Sequence, residues 1–125
     1  MSRKLISFVI PAYNEEGCVE LLYVELNKLA EQISDRYLCE FIIVENGSRD
    51  ATFKKLKELH TLDRRVKIVK LSRNFMADGG ITAGLHYVRG DAAVIMCADL
   101  EDPPSTVLEF ITKWEEGYQN IYGII

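Results

Sequence analysis

Asp99, Glu101 and Asp102 fall directly after the apolar run Val94-Ile95-Met96-Cys97-Ala98 and directly before Pro103-Pro104. Carboxylate oxygens are hard ligands, and two or three of them suit magnesium or manganese. A cation held there can in turn hold the phosphates of a nucleotide. The apolar run reads as a strand buried on both faces of a parallel sheet. A carboxylate at the carboxyl end of such a strand lies at the mouth of the sheet, where open α/β sheets bind ligands. A plainer role also fits, in which Asp99 and Asp102 end a strand and cap the next helix.

Three more apolar runs end in polar turns. Leu5 to Ile10 runs into Tyr13-Asn14-Glu15-Glu16, Phe41 to Val44 into Glu45-Asn46-Gly47-Ser48, and Val66 to Leu71 into Arg73-Asn74. In a parallel sheet all four turns emerge at one edge. Tyr13 can pack against a base there, and Glu45 or Asn46 can bond polar atoms of base or ribose. Each has a structural alternative: Tyr13 as a packing residue, Asn46-Gly47 as an ordinary turn, Ser48 or Asp50 as a helix cap. The turn Pro11 to Gly17 lacks the GxGxxG glycines of a dinucleotide site, and no GxxxxGK[ST] loop occurs. Phosphates bound without a glycine cradle need another counter-charge, which a metal on Asp99 supplies. Gly79-Gly80 reads either as an anion cradle at a helix start or as a flexible loop. His60 and His86 lack a partner at metal-ligand spacing and read as surface or packing residues. Cys97 and Trp114 read as core.

The elements that must position these turns follow from periodicity. Asn14 reads as the cap of a first helix, with Glu15 and Glu16 in its first turn and Leu22, Leu26, Leu29, Ala30 and Ile33 on one face. Asp50 caps a second helix carrying Phe53, Leu56 and Leu59. A third spans Ile81 to Val88, stopped by Gly90. A fourth spans Ser105 to Glu116, with Val107, Leu108, Ile111 and Trp114 inward and Gly117 closing it. The fourth strand covers Ala92 to Cys97, and Ile121 to Ile125 begins a fifth. Strands alternating with helices predict an α/β chain: a mostly parallel sheet with helices on both faces. The 125 residues suit one domain.

A formal net charge of −4 argues against nucleic acid as a partner. Cys18, Cys39 and Cys97 are an odd number without metal-ligand spacing, so they read as reduced thiols of a cytoplasmic protein. No apolar run reaches the roughly 18–20 residues of a membrane span. An uncapped fifth strand offers a sheet edge through which copies pair, which makes a homo-oligomer an expectation.

Together these segments resemble the N-terminal part of a glycosyltransferase family 2 enzyme of GT-A fold, within it the dolichol-phosphate mannosyltransferase-like, polyprenyl-phosphate group. The resemblance rests on Val9-Ile10-Pro11-Ala12-Tyr13-Asn14-Glu15-Glu16, Ile43 to Thr52, Leu71-Ser72-Arg73-Asn74-Phe75, Thr82-Ala83-Gly84-Leu85, Ala98 to Pro104 and Trp114 to Tyr118, in that order and spacing. It implies a truncated Rossmann-like nucleotide-diphospho-sugar-binding fold and a sugar transferred with inversion to an acceptor, a polyprenyl phosphate at a membrane. Pro11, Ala12, Tyr13 and Glu15 match the nucleotide pocket, Glu45 and Asn46 the acidic pair that holds base and ribose, and Arg73 joins them. Asp99 matches the final Asp of the DxD motif at metal and diphosphate, and Glu101 a Gln of the metal shell. The cofactor implied is magnesium or manganese. The chain departs from the family at Glu45 and Asn46, where two Asp are usual, at Cys97, the first Asp of DxD, and at Gly79-Gly80. The acceptor side and any catalytic base belong to later segments, through which members reach the inner face of the membrane. The alternative is a nucleotide-sugar-binding module without catalysis.

Overall fold

The computed structural model describes residues 3–101 and 103–122. Its strands are β1 (Lys4–Ala12), β2 (Tyr37–Glu45), β3 (Val66–Lys70) and β4 (Ala92–Ile95). Its helices are α1 (Val19–Gln32), α2 (Thr52–Leu62), α3 (Met76–Leu85) and α4 (Ser105–Glu115). All strands pair in parallel, in the order β3-β2-β1-β4. The expected α/β architecture is therefore present.

One face of the sheet carries the main core. Ile6, Phe8 and Ile10 of β1 and Phe41 and Ile43 of β2 pack with Leu22, Leu26, Leu29, Ala30 and Ile33 of the α1 region, Leu56 of α2, and Val107 and Ile111 of α4. The apolar faces expected of α1 and α4 are the ones buried. α3 covers the other face alone. Gly84 permits its approach, since a Cβ there would lie 2.6 Å from Val9 Cγ1 and 2.8 Å from Val44 Cγ2. The chain runs outward from β1 through β2 to β3, and α3 then carries it back to β4 on the other side of β1. The strand order thus reverses between β1 and β4. At such a reversal the flanking loops part, leaving a crevice at the carboxyl ends.

Several boundaries differ from expectation. Among the described residues, only β1 and β2 are covered on both faces, and β4 is an edge strand. Ile95 is half exposed, the strand stops there, and Cys97 is exposed rather than core. An apolar run records the tendency to be buried, not the position in the sheet. β2 begins at Tyr37 rather than Phe41, because its first half, Tyr37 to Glu40, pairs with Lys4–Ser7. α1 begins at Val19, so Asn14 does not cap it. Asn14 has φ 51, and a turn closed by the Cys18 N–H on the Glu15 carbonyl precedes the helix. α3 begins at Met76, not Ile81, and ends at Leu85, which places Gly79 and Gly80 inside a helix. Ile121 and Tyr122 form no strand. The rest of the expected fifth strand, from 123 to 125, and the capping role read for Asp102 lie outside the described residues. The N-cap of α2 is Ala51 rather than Asp50, because the Ala51 carbonyl takes the first helical bond, from the Lys55 N–H; Asp50, one residue earlier, accepts the Thr52 N–H with Oδ1 at 2.9 Å. His60 is a packing residue, its Nδ1 2.6 Å from the Val66 carbonyl oxygen.

Two carboxylates set an acid limit on this fold. Burial works to raise the Glu40 pKa, but the Lys67 ammonium, the Ser7 hydroxyl and the Arg89 N–H hold it below the usual carboxylate value. The Arg65 guanidinium, helped by the Tyr23 hydroxyl, holds Asp63 well below that value. A carboxyl depressed in the folded state stabilises above its unfolded value, and that contribution is lost as pH falls through the folded value. Stability is expected to be level above about pH 5 and to fall below about pH 4. Asp63→Asn makes the fall shallower. Urea midpoints across that range check this; an acid limb of unchanged slope in the variant would refute it.

Candidate functional site

The site residues sit on four loops at the carboxyl edge. β1 brings Pro11 and Ala12 there, with Tyr13 beyond them 38% exposed. A proline inside a central strand forfeits a ladder bond. Here the loss is nil, because the nitrogen faces β4, whose pairing with β1 ends at Val9. The 13–18 loop is bonded to the loop after β2. The Asn14 N–H donates to Ser48 Oγ at 2.9 Å, and Asn14 Oδ1 accepts the Arg49 N–H at 2.9 Å. The Glu15 N–H donates to Thr52 Oγ1 at 2.9 Å, and Lys55 Nζ donates to the Glu16 carbonyl at 2.8 Å. Asn14 is therefore a bridge between two rim loops rather than a helix cap.

The loops after β2 and β3 interlock more tightly. Gly47 has φ +79, and a Cβ there would sit 2.4 Å from the Arg73 carbonyl carbon and 2.6 Å from the Asn74 nitrogen. Glu45 Oε1 accepts the Ser48 N–H at 2.7 Å. Asn46 Oδ1 accepts the Phe75 N–H at 2.9 Å, and Asn46 Nδ2 donates to the Met76 carbonyl at 2.8 Å. The Arg73 guanidinium lies 4.5 Å from the Phe75 ring centroid.

The loop after β4 completes the edge. The Met96 N–H still bonds the Val9 carbonyl at 3.1 Å, so the chain leaves beside the end of β1. Asp99 Oδ1 accepts the Glu101 N–H at 3.1 Å. The Cys18 thiol, on the loop after β1, is pushed up, first by its hydrogen bond with Glu15, then by burial, then by the charges of Glu15 and Asp99. The carboxylates of the loops after β1 and β4 are thus both felt at one atom.

The structure brings Pro11, Ala12, Tyr13, Glu15, Glu45, Asn46, Arg73, Asp99 and Glu101 to this one edge, in two layers. Tyr13, Arg73, Asp99 and Glu101 are exposed, and Glu15 is half-buried. Glu45 and Asn46 are buried, at 1% and 3%, and bonded into the framework. Sequence reasoning missed Cys18, Phe75 and Met76. The pair Gly80 and Gly84, one turn apart, is the signal that could have extended α3 and flagged a close approach.

Whether these residues suit a divalent cation follows from their donor set. Magnesium is commonly held by one or two carboxylates and completes its shell with phosphates and water. Asp99 and Glu101 supply two carboxylates on one loop, while the Cys97 sulfur is a poor ligand for a hard ion. Among the described residues no three His, Cys, Asp or Glu side chains are grouped to hold a metal by themselves. The edge therefore fits a cation that takes its remaining oxygens from a bound diphosphate.

Comparison with known proteins decides the family. The pattern of "Glycosyl transferase family 2" matches residues 7–125. The chain belongs to this family. As a family 2 member it is 42% identical, over 99% of its length, to the uncharacterized glycosyltransferase YkcC of Bacillus subtilis. It is 35% identical, over 90% of its length, to an undecaprenyl-phosphate 4-deoxy-4-formamido-L-arabinose transferase of Proteus mirabilis. It spans 38% and 34% of the lengths of these two relatives. Among solved structures, the mannosyltransferase PcManGT of Pyrobaculum calidifontis, in complex with GDP-Man and Mn2+, superposes with a TM-score of 0.72 at 20% identity. That match covers 90% of this chain and 32% of the other. The fold is thus of GT-A type, and the chain is the portion of it described above. No helix among the described residues is long and apolar enough to cross a membrane.

Proposed function

We propose that this chain forms the donor-binding part of an inverting glycosyltransferase that passes a sugar from a nucleotide diphosphate to the phosphate of a polyprenyl lipid. One observation carries the reading: the strand order reverses between β1 and β4, where an open sheet binds its ligand, and Glu15 and Asp99 lie on the loops that follow these two strands. The relatives support it, one by its undecaprenyl-phosphate name and one by its GDP-Man and Mn2+ complex.

In this reading Tyr13 packs against the base, and Pro11 and Ala12 form the floor with backbone edges. Glu15 takes hydroxyl or ring N–H groups of the nucleoside, and the buried Glu45 holds the turn at Ser48 behind it. Arg73 supplies positive charge to the diphosphate, and Asp99 with Glu101 holds magnesium or manganese. When bound, the cation offsets the charge that builds on the departing diphosphate. The bond from the anomeric carbon to the diphosphate oxygen breaks as the acceptor oxygen bonds to the opposite face, hence inversion. A lipid phosphate is already anionic near neutral pH, so its oxygen needs little help from a base.

The test is titration with GDP-mannose and UDP-glucose plus manganese, followed by addition of undecaprenyl phosphate. Micromolar to millimolar nucleotide binding by this chain is the expected result, with sugar transfer expected of a protein that also carries the acceptor side. Binding without transfer by such a protein would favour a donor-binding module, which Cys97 at the first carboxylate position of the motif also favours. Absence of binding to either nucleotide removes the reading.

A further inference from the structure

Asn46 stands where the family usually has an aspartate, and the structure gives a reason for the amide. Its side chain is 3% exposed and is used at both ends. Oδ1 accepts the Phe75 N–H at 2.9 Å and Nδ2 donates to the Met76 carbonyl at 2.8 Å. These two groups belong to the residues that open α3, where Met76 has φ 63, a region costly for a side chain that is not glycine. The pair of bonds holds that turn in place. Gly80 keeps the space open, since a Cβ there would lie 3.1 Å from Asn46 Nδ2 and 3.3 Å from Pro11 Cβ. The held peptide also positions Phe75, on whose ring the Arg73 guanidinium rests.

We propose that Asn46 is a positioning residue: an amide latch that sets the Arg73–Met76 loop for the nucleotide diphosphate and acts through that loop, without touching the donor. The inference rests on the donor-binding reading above and deepens it. The latch needs one donor and one acceptor on the same short side chain. Ionised aspartate has acceptors only. It would keep the Phe75 N–H but set a charged oxygen against the Met76 carbonyl. Protonated aspartic acid has the required pair, an O–H for Met76 and a carbonyl for Phe75. The Asn46→Asp variant is therefore a latch that closes in acid and opens in base.

At the carboxyl ends of the surrounding elements the charged residues are Glu45 on β2, Lys70 on β3, Arg73 in the loop and Asp78 at the start of α3; the end of β1 there is Pro11 and Ala12, and Lys4, Glu40 and Lys67 lie toward the other ends of their strands. Glu45 and Asp78 oppose ionisation of the new carboxyl, and Lys70 and Arg73 favour it. Burial and the Met76 carbonyl add to the opposing side and move its titration above the ordinary carboxylate range.

The experiment measures GDP and UDP affinity with magnesium, from about pH 5 to about pH 8, for the wild type, N46D and N46A. Each value is taken as a ratio to wild type at the same pH, which cancels the titration of the nucleotide. N46D is expected within roughly threefold of wild type at the acid end and at least tenfold weaker at the alkaline end, a change of about 1.4 kcal/mol. N46A is expected weak at every pH. R73A should lose a similar factor, and R73A combined with N46D should lose little more. A ratio for N46D that is flat with pH overturns the latch, as does full affinity in N46A. If the wild type binds neither nucleotide, the donor reading fails and the latch's role falls with it. Amide hydrogen exchange at Phe75 then reports whether the bond itself exists. Protection lost in N46A supports the contact, and unchanged protection disproves it.

Discussion

Gly47→Ala is expected to cost roughly 2–4 kcal/mol of folding stability. Two independent terms produce it. The backbone at Gly47 has φ +79, where a Cβ costs about 1 kcal/mol. The new methyl would also meet the Arg73 and Asn74 backbone at 2.4–2.7 Å. Backbone cannot swing aside as a side chain can, so the loop must move, at a typical overpacking cost of about 1–3 kcal/mol. Gly117 separates the terms, because it has φ +107 and nothing within 4 Å of its Cβ position. Gly117→Ala should cost only the backbone term. Urea unfolding of the two variants measures the difference, and equal losses would show that the contact with Arg73 carries no weight. Nucleotide affinity should fall in the Gly47 variant and not in the Gly117 variant, because only the first displaces a rim loop.

Asp99→Asn is expected to lower GDP affinity roughly a hundredfold in manganese, about 2.7 kcal/mol. The amide that replaces the carboxylate is a neutral and much poorer oxygen donor. Glu101 alone then remains on that loop to share the cation with the diphosphate. Without metal the sign changes. A carboxylate beside a diphosphate repels it, so the variant should bind equally or slightly more tightly in EDTA. The reversal distinguishes a cation-holding role from a purely structural one. Among the described residues Asp99 Oδ1 accepts the Glu101 N–H, a bond an asparagine oxygen can keep, so folding should change little. A uniform loss with and without metal would refute this role for Asp99.

Much of the candidate site can be read from local pattern. The polar turns after Ile10, Val44, Leu71 and Ala98 are distinctive in composition, and a parallel sheet sends all of them to one edge. The buried faces of α1 and α4 are equally local, set by a repeat of 3.6 residues. The errors share one cause. Asn14 looks like a cap because cap residues are short and polar, but its amide bonds the Arg49 N–H, thirty-five positions along the chain. Gly79 and Gly80 look like loop because glycine disfavours helix, but α3 must pass close to Asn46 and Pro11. Cys97 looks buried because its run is apolar, but β4 lies at an edge.

The amino-acid sequence alone determined the alternation of strands and helices, the family signature, and the set of residues delivered to the carboxyl edge. Periodicity and turn chemistry are properties of neighbouring residues and need no partner to be legible. Tertiary structure alone decided that β4 joins the sheet beside β1, which brings the loop carrying Asp99 next to the one carrying Glu15. It also decided that Asn46 turns inward to hold the next loop. Strand order and the partner a side chain takes are set by contacts between residues tens of positions apart, so nothing in a short window of sequence specifies them.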